Sequence, residues 1–183
     1  DTDAESLAHF KRWAQFHIRL FPWLDAHSAE AEQSGVPIVR GLALMAPNEE
    51  RTWTISDEFF LGGALLVAPI VDEGATSRSV YFPAGDWVSW DGAQQVTGPG
   101  DATVNASMSE IPLFVRKGAC IPRLPEGVET LVPAAPPVVD LDDVKGERSL
   151  FLVPGGTSDF LERDGTRYVV LPGTATTFQE NGA

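Results

Sequence analysis

Four acidic groupings hold most of the chemical potential of this 183-residue chain: Asp57-Glu58, Asp72-Glu73, Asp142-Asp143 and the pair Glu162/Asp164. Two carboxyl groups flanking one sugar acetal can hydrolyse it, about 5 Å apart for retention and about 6.5 to 9.5 Å apart for inversion. The settings of these acids are a helix start, turns and a hairpin tip, which are ordinary places for aspartate and glutamate. None is assigned as catalytic. His9, His17 and His27 lack the i, i+4 spacing of a helical zinc site, so no metal ligand is assigned. His17 falls on an apolar helix face and is expected to pack there. Trp87 and Trp90 lie in a turn-rich stretch where an indole can stack on a pyranose ring, although packing is the more ordinary role. Phe10, Trp13, Phe16, Phe21 and Trp23 recur at helical spacing, which favours packing over a sugar-stacking surface. Arg40, Arg78 and Arg116 stand in or beside apolar runs, and each is expected to need a carboxylate partner if buried. Cys120, the one cysteine, excludes an internal disulfide and reads as a core thiol between Ala119 and Ile121. Asn105-Ala-Ser107 is a formal glycosylation sequon and carries little weight alone.

The elements that must position these residues follow from periodicity and turn chemistry. Thr2-Asp-Ala-Glu5 has the form of a capping box, and Leu7, Phe10, Trp13, Ala14, His17, Ile18, Phe21 and Leu24 then share one helix face. Pro22 predicts a kink or a second helix, and Gly35 a C-cap. The nearly continuous apolar run Val36 to Met45 fits a strand of a parallel sheet buried on both faces. From Ala64 onward, short apolar stretches alternate with glycine, proline and aspartate, the pattern of an antiparallel sandwich. Strands are predicted at 64–71, 78–82, 87–89, 102–106 and 113–115, with a short one at 119–121. A proline-rich stretch over 123–140 reads as an extended connection, followed by strands at 149–153 and 160–171. Asp164-Gly165 predicts a tight hairpin turn inside the last of these, both central residues tolerating positive φ.

Composition narrows the function classes. A hydrophobic share of 43% and a charged share of 21% are those of an ordinary globular protein. A net charge of -13 excludes the basic footprint that nucleic acid or an anionic membrane surface requires, and a neutral sugar is compatible with it. No run approaches the ~18 apolar residues of a membrane span.

Three phrases in fixed order carry a resemblance: Asp57-Glu-Phe-Phe-Leu-Gly-Gly-Ala-Leu-Leu-Val-Ala-Pro-Ile70, Arg78-Ser-Val-Tyr-Phe-Pro-Ala-Gly-Asp-Trp-Val-Ser-Trp90 and Ile111-Pro-Leu-Phe-Val-Arg-Lys-Gly-Ala-Cys-Ile-Pro122. Together they resemble the region of glycoside hydrolase family 31, the α-glucosidases and α-xylosidases, where the catalytic barrel ends and a β-sandwich begins. The resemblance implies a mainly β chain: residues 1–63 as the last helix-strand unit of a (β/α)8 barrel, 64–125 as a proximal antiparallel sandwich, and 126–183 as a linker and part of a distal β-domain. It further implies a retaining, metal-independent α-glycosidase with no cofactor, acting on α-linked glucosides or xylosides. Its catalytic aspartates would lie upstream, on a barrel of the same polypeptide that is this segment's partner. Two departures stand out: Gly41 replaces a proline after Arg40, and Arg163 interrupts an acidic phrase of the distal domain. The alternative is a free-standing, non-catalytic sandwich that binds carbohydrate or protein.

Overall fold

The computed structural model describes residues 3–107, 110–171 and, as backbone only, 178–181. Helix α1 runs over Ala4–Arg19 and α2 over Phe21–Ser34. Asp3 caps α1, its carboxylate accepting from the Ser6 N–H at 2.6 Å; Thr2, the expected cap, lies outside the described residues. The chain breaks at Leu20, which places Pro22 in the first turn of α2, where a missing N–H costs no helical hydrogen bond. Gly35 closes α2 at φ 77, its N–H donating to the Ala31 carbonyl.

The run expected to form a long buried parallel strand behaves differently. Only Val39–Gly41 (β1) is extended, and it pairs antiparallel with β2 (Phe59–Leu61), Val39 opposite Leu61. Arg40 alone of the three is buried, and Leu42–Met45 winds into a single helical turn, α3. The apolar run therefore divides, Leu42 reaching the core while Val39 and Leu44 stay exposed. Gly41 sits at φ -62, inside the range proline enforces, so the strand end keeps the backbone a proline would impose.

The central sheet has six strands in the order β1-β2-β3-β6-β4-β5, where β3 is Leu65–Val67, β4 Ser77–Ser89, β5 Gln95–Asn105 and β6 Leu113–Arg116. The two strands expected at 78–82 and 87–89 are one long strand whose register shifts between Phe82 and Gly85. Gly98 faces that bend, and a Cβ there would fall 2.3 Å from the Pro83 carbonyl oxygen, so only glycine allows the close approach. Strands β7 (Cys120–Arg123) and β8 (Ser149–Leu152) form a pair; β9 (Ser158–Leu161), β10 (Arg167–Val170) and β11 (Phe178–Asn181) form a third sheet. The β9–β10 turn is longer than the expected two-residue type. Glu162 and Thr166 close it, Gly165 alone takes positive φ, and Asp164 accepts from the Thr166 N–H.

Alternation along β3 and β6 serves two cores. Leu65, Val67, Leu113 and Val115 face α2, β7 and the distal strands, joining Leu20, Trp23, Ile121, Phe160 and Tyr168. Leu66 and Phe114 point the other way, into a core with Phe60, Val80, Phe82, Trp87 and Leu42. The proline-rich connection is more than a spacer: its Leu124 and Val128 are buried with Val144 of the following 3-10 turn against Ile18 and Phe21.

Phe114 is fully buried, its ring edge-on to Phe82 at 4.7 Å. Phe114→Ala should cost about 3 to 5 kcal/mol, read as a lowered urea midpoint with an unchanged denaturant slope.

Candidate functional site

The acidic groups are dispersed, and each has local work. Asp57-Glu58 leads into β2 rather than opening a helix. Glu58 is buried and accepts from the Tyr81 N–H and from Arg78 at 3.2 Å, while Asp57 takes the Arg78 fork at 2.7 Å. Burial pushes the Glu58 carboxyl up to about 7, against the lowering by the Tyr81 N–H and Arg78. Glu162 is also buried, held by Arg148 at 2.8 Å and by the Tyr168 hydroxyl at 2.8 Å. Asp142-Asp143 opens a 3-10 turn, its two N–H groups donating to Asp140. Asp72-Glu73 is an exposed turn. Buried carboxylates spent on arginine and backbone donors fix chain segments.

The arginines divide. Arg40 is buried, donates to the Pro37 carbonyl at 2.8 Å and pairs with Glu30 of α2, the ion pair its position implied. Arg78 bonds both acids and the Pro69 carbonyl. Arg116 departs from expectation: its guanidinium lies 4.6 Å over the Trp87 ring and donates to the Ala84 carbonyl, so a π face and a carbonyl take the place of a carboxylate. Trp87 is wholly buried, with its indole N–H on the Pro83 carbonyl, which excludes it from sugar contact. Trp90 is half-buried and stacked on Phe151 at 4.1 Å, and it borders three hollows of about 210, 410 and 460 Å³. Trp13 and Phe16 reach the same region, whereas Phe10, grouped with them by spacing, is 71% exposed.

His17 is exposed in the last turn of α1, contrary to the packing role expected of it. Trp23, three residues past the break at Leu20, turns inward instead, and His27 one turn further along α2 is the buried histidine. Cys120 is a core thiol, its pKa raised to about 12 by burial. Asn105 is exposed at the end of β5. Among the described residues no cluster of His, Cys, Asp and Glu could hold a metal ion, and no helix is long and apolar enough to cross a membrane. The sequence reading missed the grip of Arg163, whose guanidinium takes Glu32 at 2.8 Å and Asp25 at 3.0 Å, binding the distal hairpin to α2. Its only signal was an arginine in an otherwise acidic phrase.

Two consecutive helices broken at Leu20 and several antiparallel sheets, with no closed barrel among the described residues, form a mixed α/β segment. Residues 35–121 match the glycosyl hydrolase family 31 C-terminal domain. The chain is 38% identical over 133 residues to a sulfoquinovosidase of Agrobacterium fabrum, covering 72% of this chain and 20% of that one. It is 33% identical over 123 residues to an isomaltosyltransferase of Sporosarcina globispora, covering 66% and 11%. The fold is similar to that of the family 31 dextranase of Flavobacterium johnsoniae in complex with isomaltotriose, at TM-score 0.73 and 26% identity, over 92% of this chain and 21% of the dextranase. A cycloalternan-forming enzyme of Listeria monocytogenes gives TM-score 0.77 at 25% identity, over 92% and 16%. The chain thus spans a tenth to a fifth of its relatives, and sequence and fold together support its being part of a larger family 31-type enzyme.

Glu58 sets a pH dependence of stability. A carboxyl raised in the folded state stabilises fully below its unfolded value of about 4.5, and that contribution is lost as pH rises through about 7. Glu58→Gln, which keeps an acceptor for Tyr81, should remove this loss and raise stability at alkaline pH by about 1 to 2 kcal/mol relative to acid. Urea unfolding of both proteins at about pH 5 and about pH 8 measures it.

Proposed function

We propose that this chain is the C-terminal segment of a retaining α-glycosidase and braces an upstream catalytic barrel of the same polypeptide. Residues 1–63 supply the closing helix-strand unit of that barrel, 64–125 a proximal sandwich, and 126–183 a linker and part of a distal β-domain. The substrate of the whole enzyme is an α-linked glucoside or xyloside, cleaved by carboxylates on earlier barrel strands without metal or cofactor. The observation that carries the reading is the family match joined to an open helix: α1 has no buried residue, and Leu7 and Phe10 are 60% and 71% exposed on one face. Phe16 and Ile18 pack on the rest of the chain, but a sandwich sufficient to itself gives the exposed Leu7 and Phe10 nothing to do.

Two measurements test the reading. The purified chain, assayed on aryl α-glucoside and aryl α-xyloside, should give only the uncatalysed rate, because the acid and nucleophile must be held by a rigid scaffold on opposite sides of one bond. Turnover that disappears on mutating an acid within residues 1–183 would overturn it. Sedimentation should show self-association that weakens in the double variant Leu7→Glu, Phe10→Glu, since an apolar face made for a neighbour finds another copy instead. A strictly monomeric native chain at high concentration would count against the braced-barrel role.

A further inference from the structure

Helix α2 carries His27 into the seam where β1, the β2–β3 turn and the β9–β10 hairpin meet. Its ring is 9% exposed. Nδ1 lies 2.7 Å from Oε2 of Glu30, and an ionised carboxylate only accepts, so Nδ1 is assigned the proton and donates it. Nε2 is then a bare lone pair, buried and without a hydrogen-bond partner. It presses on Gly62, where a Cβ would stand 2.3 Å away, so glycine is the one residue that fits opposite. Trp23 meets the ring edge-on at 4.3 Å and Phe160 at 5.8 Å, and these two stack on each other at 4.8 Å. That stack joins the helix to the distal hairpin.

Charged groups surround the ring, and each is already engaged. Glu30 comes from α2 itself, and Arg40 from β1 places Nη2 3.4 Å from Nδ1 while pairing with Glu30. The hairpin contributes Asp159, Glu162 and Arg163 to a hollow of about 570 Å³ that His27 also lines. Arg167, Arg148 and the pair Asp25 and Glu32 hold these three in turn. The β2–β3 turn offers Gly62 and Gly63, which carry no charge.

We propose that His27 is an acid-operated latch between α2 and the distal hairpin: neutral, it seals the seam, and protonated on Nε2 it releases the hairpin from the helix. The incoming proton converts the lone pair into an N–H with no acceptor, wedged between two rings and a glycine. Water can satisfy it only if the ring swings out, and that requires the Trp23–Phe160 stack to part. Burial holds the His27 pKa below its ordinary value of 6.5, with Arg40 adding to the lowering and Glu30 opposing it. The open form therefore takes the proton first, so the latch holds fully above about 6.5 and weakens as pH falls toward the lower folded value. Glu32 is held below the usual carboxylate range by Arg163 and stays ionised through this window.

The test is an NMR titration of the His27 ring with nuclear Overhauser contacts between Trp23 and Phe160 followed in the same samples. The ring should titrate below about 6.5, and one pH unit below its midpoint the Trp23–Phe160 contacts should fall about ten-fold while Phe82–Phe114 contacts persist. In His27→Gln the contacts should no longer depend on pH; in His17→Gln, which alters an exposed ring, they should respond as in the parent chain. Contacts that survive below the His27 midpoint, or a loss that remains in His27→Gln, would overturn the proposal. Should His27→Gln fail to fold, coincidence of the two midpoints in the parent chain decides it.

Discussion

The constraint on which the structure depends is the burial of β3 on both faces. Leu65, Leu66 and Val67 pair with β2 on one side and β6 on the other, and successive side chains enter opposite cores. A strand covered on one face tolerates polar residues at every second position; this one tolerates none. A slip of one residue would send Leu66 and Phe114 to the helix side and empty the aromatic core around Trp87. At about 25 cal/mol per Å² of apolar surface removed from water, such a slip costs an amount comparable to the margin of a small domain. The helices, the distal strands and the long β4–β5 hairpin all take their positions from this one register.

Charge plays a second role, tying segments that the cores leave loose. Ten of the thirteen basic residues are arginine. The planar fork matters because most of these contacts are shared: Arg78 joins Asp57, Glu58 and a carbonyl, Arg148 holds Glu162 with two nitrogens, and Arg163 bridges two acids of α2. Lysine, a compact point charge on a flexible stem, lacks the fixed planar fork that holds two acceptors in one geometry. The exposed pairs, such as Arg51 with Asp101, add little stability in water. Those with a buried partner do more by forbidding alternatives, since a buried carboxylate without its arginine is costly.

Local signals in the sequence were read well, and long-range ones less so. Helix caps and breaks at Gly35 and Pro22, the strands around Val80 and Phe114, and the buried thiol of Cys120 all follow from neighbours within a few residues. The fate of Val36 to Met45 did not, because a continuous apolar run has no period with which to separate strand from helical turn. His17 was misjudged for a related reason: the apolar stripe of α1 predicts which face is greasy, and whether anything covers that face depends on the chain's path after Leu20. Glu58 in its buried seat had no signature at all, since its donors come from Arg78 and Tyr81, 20 and 23 residues away.

The two perturbed acid–base groups bear on pH from opposite directions and from opposite cores. Glu58 prefers the folded state when protonated, and His27 prefers it when neutral. Falling pH therefore strengthens the sheet around Tyr81 while it weakens the seam around Phe160, and rising pH does the reverse. Just below the unfolded imidazole value of about 6.5, where Glu58 is also titrating, the slopes have opposite sign and partly cancel. Global stability can then stay nearly level while its distribution changes. Under the proposed bracing role this matters, because the proposed latch would loosen the contact between α2 and the distal hairpin while leaving the central register of β3 in place.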